Sequence, residues 1–531
     1  MAATTSVFVL LSLLSFVTLR SLLKRRDTKG LPLPPGPPPL PYVGNVIGVD
    51  TDHPWLAYSR WGAEYGNDDT GEIVYSRLFS QDIVILNSER VARDLLDRRS
   101  HNYSTRPPSL MRVLDFFGVE FSSIFLPYSD RWRLHRRIFH QAFRAEAAPS
   151  FRPIQMRNAH NMVLNLLHSS VDYGTHFHTF STSVIMSIVY DYTTLPRDDP
   201  FIALVESSLE ISVRELRAEV AAVVGEFPIL EKLPPWFPGA SFVRGAILQR
   251  SLVPKIVDIP FEHVKKNMAS DAAGTAAPSM VSDALLRISE KAKDEQETAL
   301  LEKAVKEASS SGYAAASETT TSTLYVFLLA MVLYPEVQAR AQEEIDSIIG
   351  EDLKRLPDWD DRASMPYVAA VIRETLRWFP VVPLGIPHAT VDDDVYEGYY
   401  IPKGATVMAN TWSMARNPEK YPNPTRFMPE RYMSKVASEE SVAHGRDDIS
   451  FAFGFGRRVC VGRYVADASL FAAVVNILAI FQVERAPGWT VGPDCEGVQW
   501  TGGVTTHPVF PCIISPRHAK ERVEELIRAQ S

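Results

Sequence analysis

The chain has 531 residues and a formal charge of -8, with 46% hydrophobic and 22% charged residues. These proportions exclude a disordered chain, and the acidic balance argues against nucleic acid as the partner. The three cysteines, Cys460, Cys495 and Cys512, are too few for a disulfide framework and lack zinc-site spacing, which points to a reducing compartment.

The N-terminal stretch "SVFVLLSLLSFVTLRSLLKRR" is apolar from Val7 to Leu19 and then meets Arg20, Lys24, Arg25 and Arg26. A spanning helix needs roughly 20 apolar residues, a length this run reaches if Arg20 snorkels to the interface. A cleaved signal peptide carries its charge before the apolar run, whereas here the charge follows it. Residues 1–26 therefore read as an uncleaved, single-pass anchor whose basic flank, and the chain after it, face the cytosol. Residues 27–45 contain "GLPLPPGPPPLP" and read as a stiff hinge, because proline fixes the backbone in an extended form. Residues 46–531 contain no further linker or repeat and read as one domain, mainly α with a minor β region.

Within that domain, "GEIVYSRLFSQDIVIL" alternates like a pair of strands. "NYS", Asn102 to Ser104, is a glycosylation sequon, expected to stay bare on the cytosolic side. "DRWRLHRR" sets Trp132 and Arg136 one helical turn apart, a pattern that alone fits a solvated basic face. "SDAAGTAAPS", near 270 to 279, reads as a surface loop. A long helical pattern covers roughly Leu301 to Leu333 and ends at Pro335. Inside it, "AAASETTTS" is poor helix chemistry. Its hydroxyls can bond back to carbonyls and bend the helix, giving either a polar face or a local opening that holds water. A helix from Tyr367 to Phe379 carries Glu374 and Arg377 three apart, hence on one face. His388, in "GIPHAT", is a lone histidine of the kind that is more often structural. "FMPERY" contributes Arg431.

"FAFGFGRRVCVG", Phe451 to Gly462, is the most unusual stretch. Cys460 precedes a helical pattern, whose positive end favours a thiolate over a thiol. The glycines allow close approach of a flat ligand, and Arg457 and Arg458 add positive charge. A thiolate held against a planar, acidic cofactor uses all of these features, as in a haem with an axial thiolate. The plainer alternative is a buried structural cysteine. A phosphate cradle is excluded by the absence of GxxxxGK[ST].

This stretch resembles the haem-binding signature of the cytochrome P-450 family at Phe453, Gly456, Arg458, Cys460 and Gly462. "ETLR" resembles the family's Glu-x-x-Arg motif, and "FMPERY" its Pro-Glu-Arg segment, with Tyr432 where Phe is common. "AAASETTTS" resembles its oxygen-activation motif, with Ala316 where glycine is more usual. The pieces also occur in the family's order. The wider sequence resembles fungal microsomal members of the O-methylsterigmatocystin oxidoreductase-like type, which act in secondary metabolism or on xenobiotics.

The resemblance implies a fold that holds haem b between the long central helix and the cysteine loop. It implies Cys460 as iron ligand, with Phe453, Gly456 and Gly462 shaping its loop. Trp132, Arg136, His388 and Arg458 would reach the haem propionates, and Glu318 and Thr319 would manage protons. Glu374, Arg377 and Arg431 would form a buried structural network. The implied activity is monooxygenation of an apolar small molecule by a monomeric, endoplasmic-reticulum enzyme. Electrons would come from NADPH through a separate NADPH-cytochrome reductase. Phe116, Phe117, Val381, Val382 and Trp500 suggest the apolar ligand. The competing expectations are an isomerase or dehydratase that uses no oxygen, and a non-catalytic haem-binding membrane protein.

Overall fold

The computed structural model describes residues 30–66, 71–195, 199–215, 218–270, 278–433, 449–492, 495 and 497–530. The anchor expected over 1–26 lies outside the described residues, as do positions 271–277 of the expected surface loop.

The two alternating segments form an antiparallel hairpin, β1 (Ile73–Leu78) and β2 (Gln81–Leu86). Downstream come α1 (Pro108–Phe117), α2 (Asp130–Phe143), α3 (Arg152–His168) and α4 (Tyr173–Tyr190). The long helix α5 spans Glu295–Leu333, followed by α6 (Pro335–Ile349) and α7 (Pro366–Trp378). Strand β3 (His388–Ala389) pairs antiparallel with β4 (Thr406–Ala409), which lies parallel to β2, so the sheet order is β1-β2-β4-β3. Helix α8 (Arg463–Ile480) leads into β5 (Phe481–Arg485), which pairs antiparallel with β6 (Cys512–Pro516). Helix dominates and the sheet is small, as the sequence indicates.

Helix α5 begins six residues earlier than its apolar pattern. The Asp294 side chain caps it by accepting from the Glu297 N–H at 2.8 Å, and Glu295 and Glu297 suit its positive end. Ser129 caps α2 in the same way through the Trp132 N–H. From Ala468 to Ile480, α8 is buried at every position, as expected of a helix apolar all round. Helices α5 and α8 are long and apolar enough to cross a membrane, yet most of their apolar length is inside the protein. They form the core with α3, α4, α6 and α7.

Asn102 is 6% exposed. Its side chain accepts from the Val391 and Asp392 N–H groups at 3.0 and 2.7 Å and donates to the Asp392 carbonyl at 3.1 Å. The fold therefore has no room for a sugar on this side chain.

Candidate functional site

The cysteine loop is built by two tight turns. Residues Ser450–Phe453 and Gly456–Arg458 form single 3-10 turns, joined through Gly454 at φ +80°. Gly456 has φ +56°, and a Cβ there would lie 2.0 Å from the Leu96 carbonyl oxygen. Its N–H donates to the Asp97 carboxylate. Only glycine meets both constraints. The Cys460 N–H then donates to the Phe453 carbonyl at 2.8 Å, which closes the loop. Helix α8 starts at Arg463, with Gly462 at the N-cap position, so two residues separate the sulfur from the helix.

The Cys460 side chain is accessible although it sits deep in the fold, so its open face borders internal space. Burial pushes the thiol up. The Gly462 and Arg463 N–H groups and the Arg136 and Arg463 guanidiniums pull it down, but burial outweighs them. The helix end alone therefore does not produce the thiolate expected from the sequence. A further positive charge at the sulfur, such as a metal ion, is needed to hold it ionised.

Three arginines and a histidine form a linked group that reaches this sulfur through Arg136. Arg458 donates to the Ser104 carbonyl at 2.8 Å and the Leu126 carbonyl at 2.7 Å. Its guanidinium carbon lies 4.3 Å from the centre of the Trp132 ring. Its Nη1 is buried without a partner. Burial and the nearby Arg136 depress its pKa to about 9. Arg136 is itself held below the ordinary arginine range by burial. Arg106, 5% exposed, spans to the carbonyls of Ile124, Ile386 and Pro387 at 2.9, 2.9 and 2.7 Å. Burial and Arg458 push it well down. His388 is pushed down to about 3, by burial first and then by Arg106 and Arg458. Its Nδ1 bonds the Tyr103 carbonyl at 2.7 Å, so in the neutral ring Nδ1 carries the proton and Nε2 carries none.

Among the described residues, none of the three arginines has a carboxylate partner. Burying clustered positive charge without compensation is strongly unfavourable. The arrangement is therefore made to receive a dianionic ligand, and Arg458 Nη1 is a donor left for it. A haem carries two acidic groups and an iron that takes an axial sulfur, and these residues fit that group. Sequence reasoning missed Arg106 as part of this cradle. Its bonds run to backbone carbonyls far along the chain, which no local pattern announces.

Above the cradle, α5 carries the hydroxyl-rich turn. Thr319 donates to the Ala315 carbonyl at 3.1 Å, Thr321 to Ser317 at 2.7 Å and Thr323 to Thr319 at 2.8 Å. Ser181, from α4, donates to the Ala316 carbonyl at 2.9 Å. The back-bonding expected from the sequence is present, but α5 stays helical throughout and has no break here. Glu318 and Thr319 are both half-buried. Glu318 takes no hydrogen bond among the described residues.

The third constellation lies below the loop. Arg377 grips Glu374 through two hydrogen bonds of 2.7 Å, both residues being fully buried. Arg431 adds a third contact to Glu374 at 3.2 Å, and the Met428 N–H a fourth at 2.8 Å. Arg377 also donates to the Ala415 and Pro424 carbonyls, and its guanidinium carbon lies 5.2 Å from the centre of the Tyr421 ring. Tyr421 packs in one cluster with Phe451 and Phe455 of the cysteine loop. That is the physical route by which this network supports the sulfur.

The apolar residues expected at the ligand divide. Trp500 stacks on Phe379, ring centres 3.3 Å apart, and the Val381 carbonyl accepts from the Thr506 N–H at 2.8 Å, so these two segments meet. Phe117 does not belong with them. It is fully buried under α1 against Val224, Phe242 and Val243, with Phe116 packed on the same cluster. The helix face it occupies is decided by packing partners more than 100 residues downstream.

The sequence matches the family model for cytochrome P450 over residues 34–508. It is 37% identical to the cytochrome P450 monooxygenase ple1 of Rhodocybe pseudopiperita over 501 residues, 94% of this chain and 91% of the relative. It is 34% identical to a cytochrome P450 monooxygenase of Armillaria gallica over 512 residues, 96% of each chain. It is also 36% identical to the cytochrome P450 monooxygenase claR of Ampulloclitocybe clavipes, over 98% of this chain and 92% of the relative.

Proposed function

Because the chain belongs to the cytochrome P450 family and is with it a haem-thiolate monooxygenase, we propose that it oxygenates an apolar small molecule, with NADPH electrons delivered by a separate reductase. When bound, the haem supplies the redox chemistry by which one atom of dioxygen enters the substrate and the other leaves as water. The protein supplies the rest. The observation that carries this reading is the set of buried cations without carboxylate partners beside an accessible Cys460. Arg106, Arg136 and Arg458 would hold the haem acids, with Trp132 packed on Arg458, and His388 would join them once their negative charge lets its Nε2 take a proton. Cys460 would hold the iron through its sulfur, its thiol proton displaced by the metal charge.

Thr319 and Glu318 would move protons. The Thr319 hydroxyl, now on the Ala315 carbonyl, can turn from that bond to donate into the cavity. The Glu318 carboxylate, with no competing hydrogen bond among the described residues, can take up a proton and pass it on. Co-expression with a fungal reductase, a broad panel of apolar compounds and mass detection of products heavier by one oxygen tests the activity. In Thr319→Ala the product rate is expected to fall by about 10²-fold, the lower end of acid–base contributions. NADPH use and peroxide release continue, and haem content is unchanged. Unchanged product per NADPH would remove Thr319 from the proton path.

Membrane attachment belongs to the same reading. Besides the apolar N-terminal run, Trp236 is 79% and Ile229 68% exposed, with Phe227 and Phe237 beside them in sequence. Phe227 meets Phe79 edge-on, and the Phe79 N–H bonds the Val43 carbonyl, next to the exposed Leu40 and Ile47. An apolar patch thus lies on the side where the chain enters the domain, as expected of a domain resting on the endoplasmic reticulum membrane. Deleting Met1 to Arg26 is expected to release only part of the protein from membranes, the rest leaving with mild detergent. Complete release into buffer would argue against the patch. Full retention after a carbonate wash would argue against residues 1–26 as the main anchor.

A further inference from the structure

We propose that a buried Ser123–His135–Glu307 latch positions the loop between α1 and α2 as a wall of the substrate cavity, and that Ser123, His135 and Glu307 are positioning residues for the oxygenation. The inference rests on the haem-thiolate reading above for the location of that cavity.

The latch joins three parts of the chain. Ser123 lies in the loop, His135 on α2 and Glu307 on α5. Ser123 Oγ is 2.8 Å from His135 Nδ1, and His135 Nε2 lies 3.3 Å from Glu307 Oε2, a charge contact without hydrogen-bond geometry. His135 is 0% exposed, Glu307 8% and Ser123 9%. Arg131 also reaches Glu307, at 3.0 Å through Nε and 2.8 Å through Nη2, and Lys303 lies 3.9 Å away. Burial would raise the Glu307 carboxyl, but His135 and Arg131 outweigh it and keep it below its ordinary range. A second strand of bonds runs alongside. The Ser123 N–H donates to Ser311 Oγ at 3.0 Å, and the Ser311 hydroxyl donates to the Glu307 carbonyl at 2.7 Å.

The opposite edge of the same loop is held by the cofactor cradle. Arg106 Nε donates to the Ile124 carbonyl, and Arg458 Nη2 to the Leu126 carbonyl. Residues 123–126 are therefore fixed from two sides, with the Ile124 and Phe125 side chains left half-exposed between them. Arg106 also gathers the Ile386 and Pro387 carbonyls, so the loop abuts the segment that follows Val381 and Val382. Packing alone would hold α2 against α5 without burying the Glu307 carboxylate, since an ionic group carries a desolvation cost that apolar contacts avoid. What these groups add is the register of one loop. The serine hydroxyl can donate to a neutral imidazole or accept from a protonated one, so the Ser123–His135 bond forms with either.

The test uses the full-length holoprotein with Ser123→Ala, Ser123→Thr and Glu307→Gln. Hydrogen–deuterium exchange reads the amides of residues 119–128. Optical titrations read the Kd of imidazole, which needs only the metal, and of phenylimidazole, which also touches the cavity wall. In Ser123→Ala and Glu307→Gln, loop exchange is expected to rise about tenfold, the equivalent of one buried hydrogen bond. The phenylimidazole Kd shifts by about fivefold while the imidazole Kd holds, and Ser123→Thr behaves as the parent. Parental exchange and parental Kd values in Ser123→Ala would overturn the latch, as would an equal shift for both imidazoles. A parent protein that binds no haem would overturn the haem reading instead, before any variant is compared.

Discussion

Glu374→Gln is expected to yield little soluble protein, and that little poorly loaded with haem. The amide keeps one acceptor oxygen and sets an NH2 group where the other stood, so Arg377 keeps a positive charge at 0% exposure with half its hydrogen-bond partner and all of its counter-charge gone. Breaking a buried pair from one side costs about 3–5 kcal/mol, a large part of a domain's stability of about 5–15 kcal/mol. Arg431 and the Met428 N–H, which share Oε1 with Arg377, keep at best a neutral acceptor. The Ala415 to Met428 segment then loosens, and Tyr421 with it, beneath Phe451 and Phe455. Urea unfolding followed by far-UV circular dichroism, with the haem-to-protein ratio at each step, checks this. A midpoint equal to the parent's would mean that the network does not support the loop.

Cys460→Ser is expected to abolish product formation while leaving the fold intact. The backbone contact that closes the loop, the Cys460 N–H on the Phe453 carbonyl, does not involve the sulfur. The hydroxyl loses the soft donor. Burial already holds the Cys460 thiol up, and an alcohol is far harder to ionise in the same place, so no anionic ligand forms. Turnover with a reductase and a substrate found for the parent measures the loss. Retained turnover would assign the ligand elsewhere.

Much of the site is legible in the sequence because its parts are local. The cysteine loop packs its glycines, arginines and sulfur into twelve residues, and Glu374 and Arg377 lie within one helical turn. The hydroxyl run on α5 announces its own back-bonding. What the sequence hides depends on distant partners. Arg106 is held by carbonyls at 124, 386 and 387, and Gly456 is required by the Leu96 carbonyl. Phe117 resembles a pocket residue until Val224 and Phe242 cover it. The helix end beside Cys460 favours a thiolate, but the sequence gives no measure of the burial that opposes it. The start of α5 was displaced for a simpler reason: an aspartate cap and acidic first turn extend the helix beyond its apolar face.

The most direct test of the account is the carbon monoxide difference spectrum of the reduced, purified protein, taken beside that of Cys460→Ser. The account predicts the long-wavelength band of a thiolate-ligated haem in the parent and its replacement by a shorter-wavelength band in the variant. The same long-wavelength band in both proteins would contradict it.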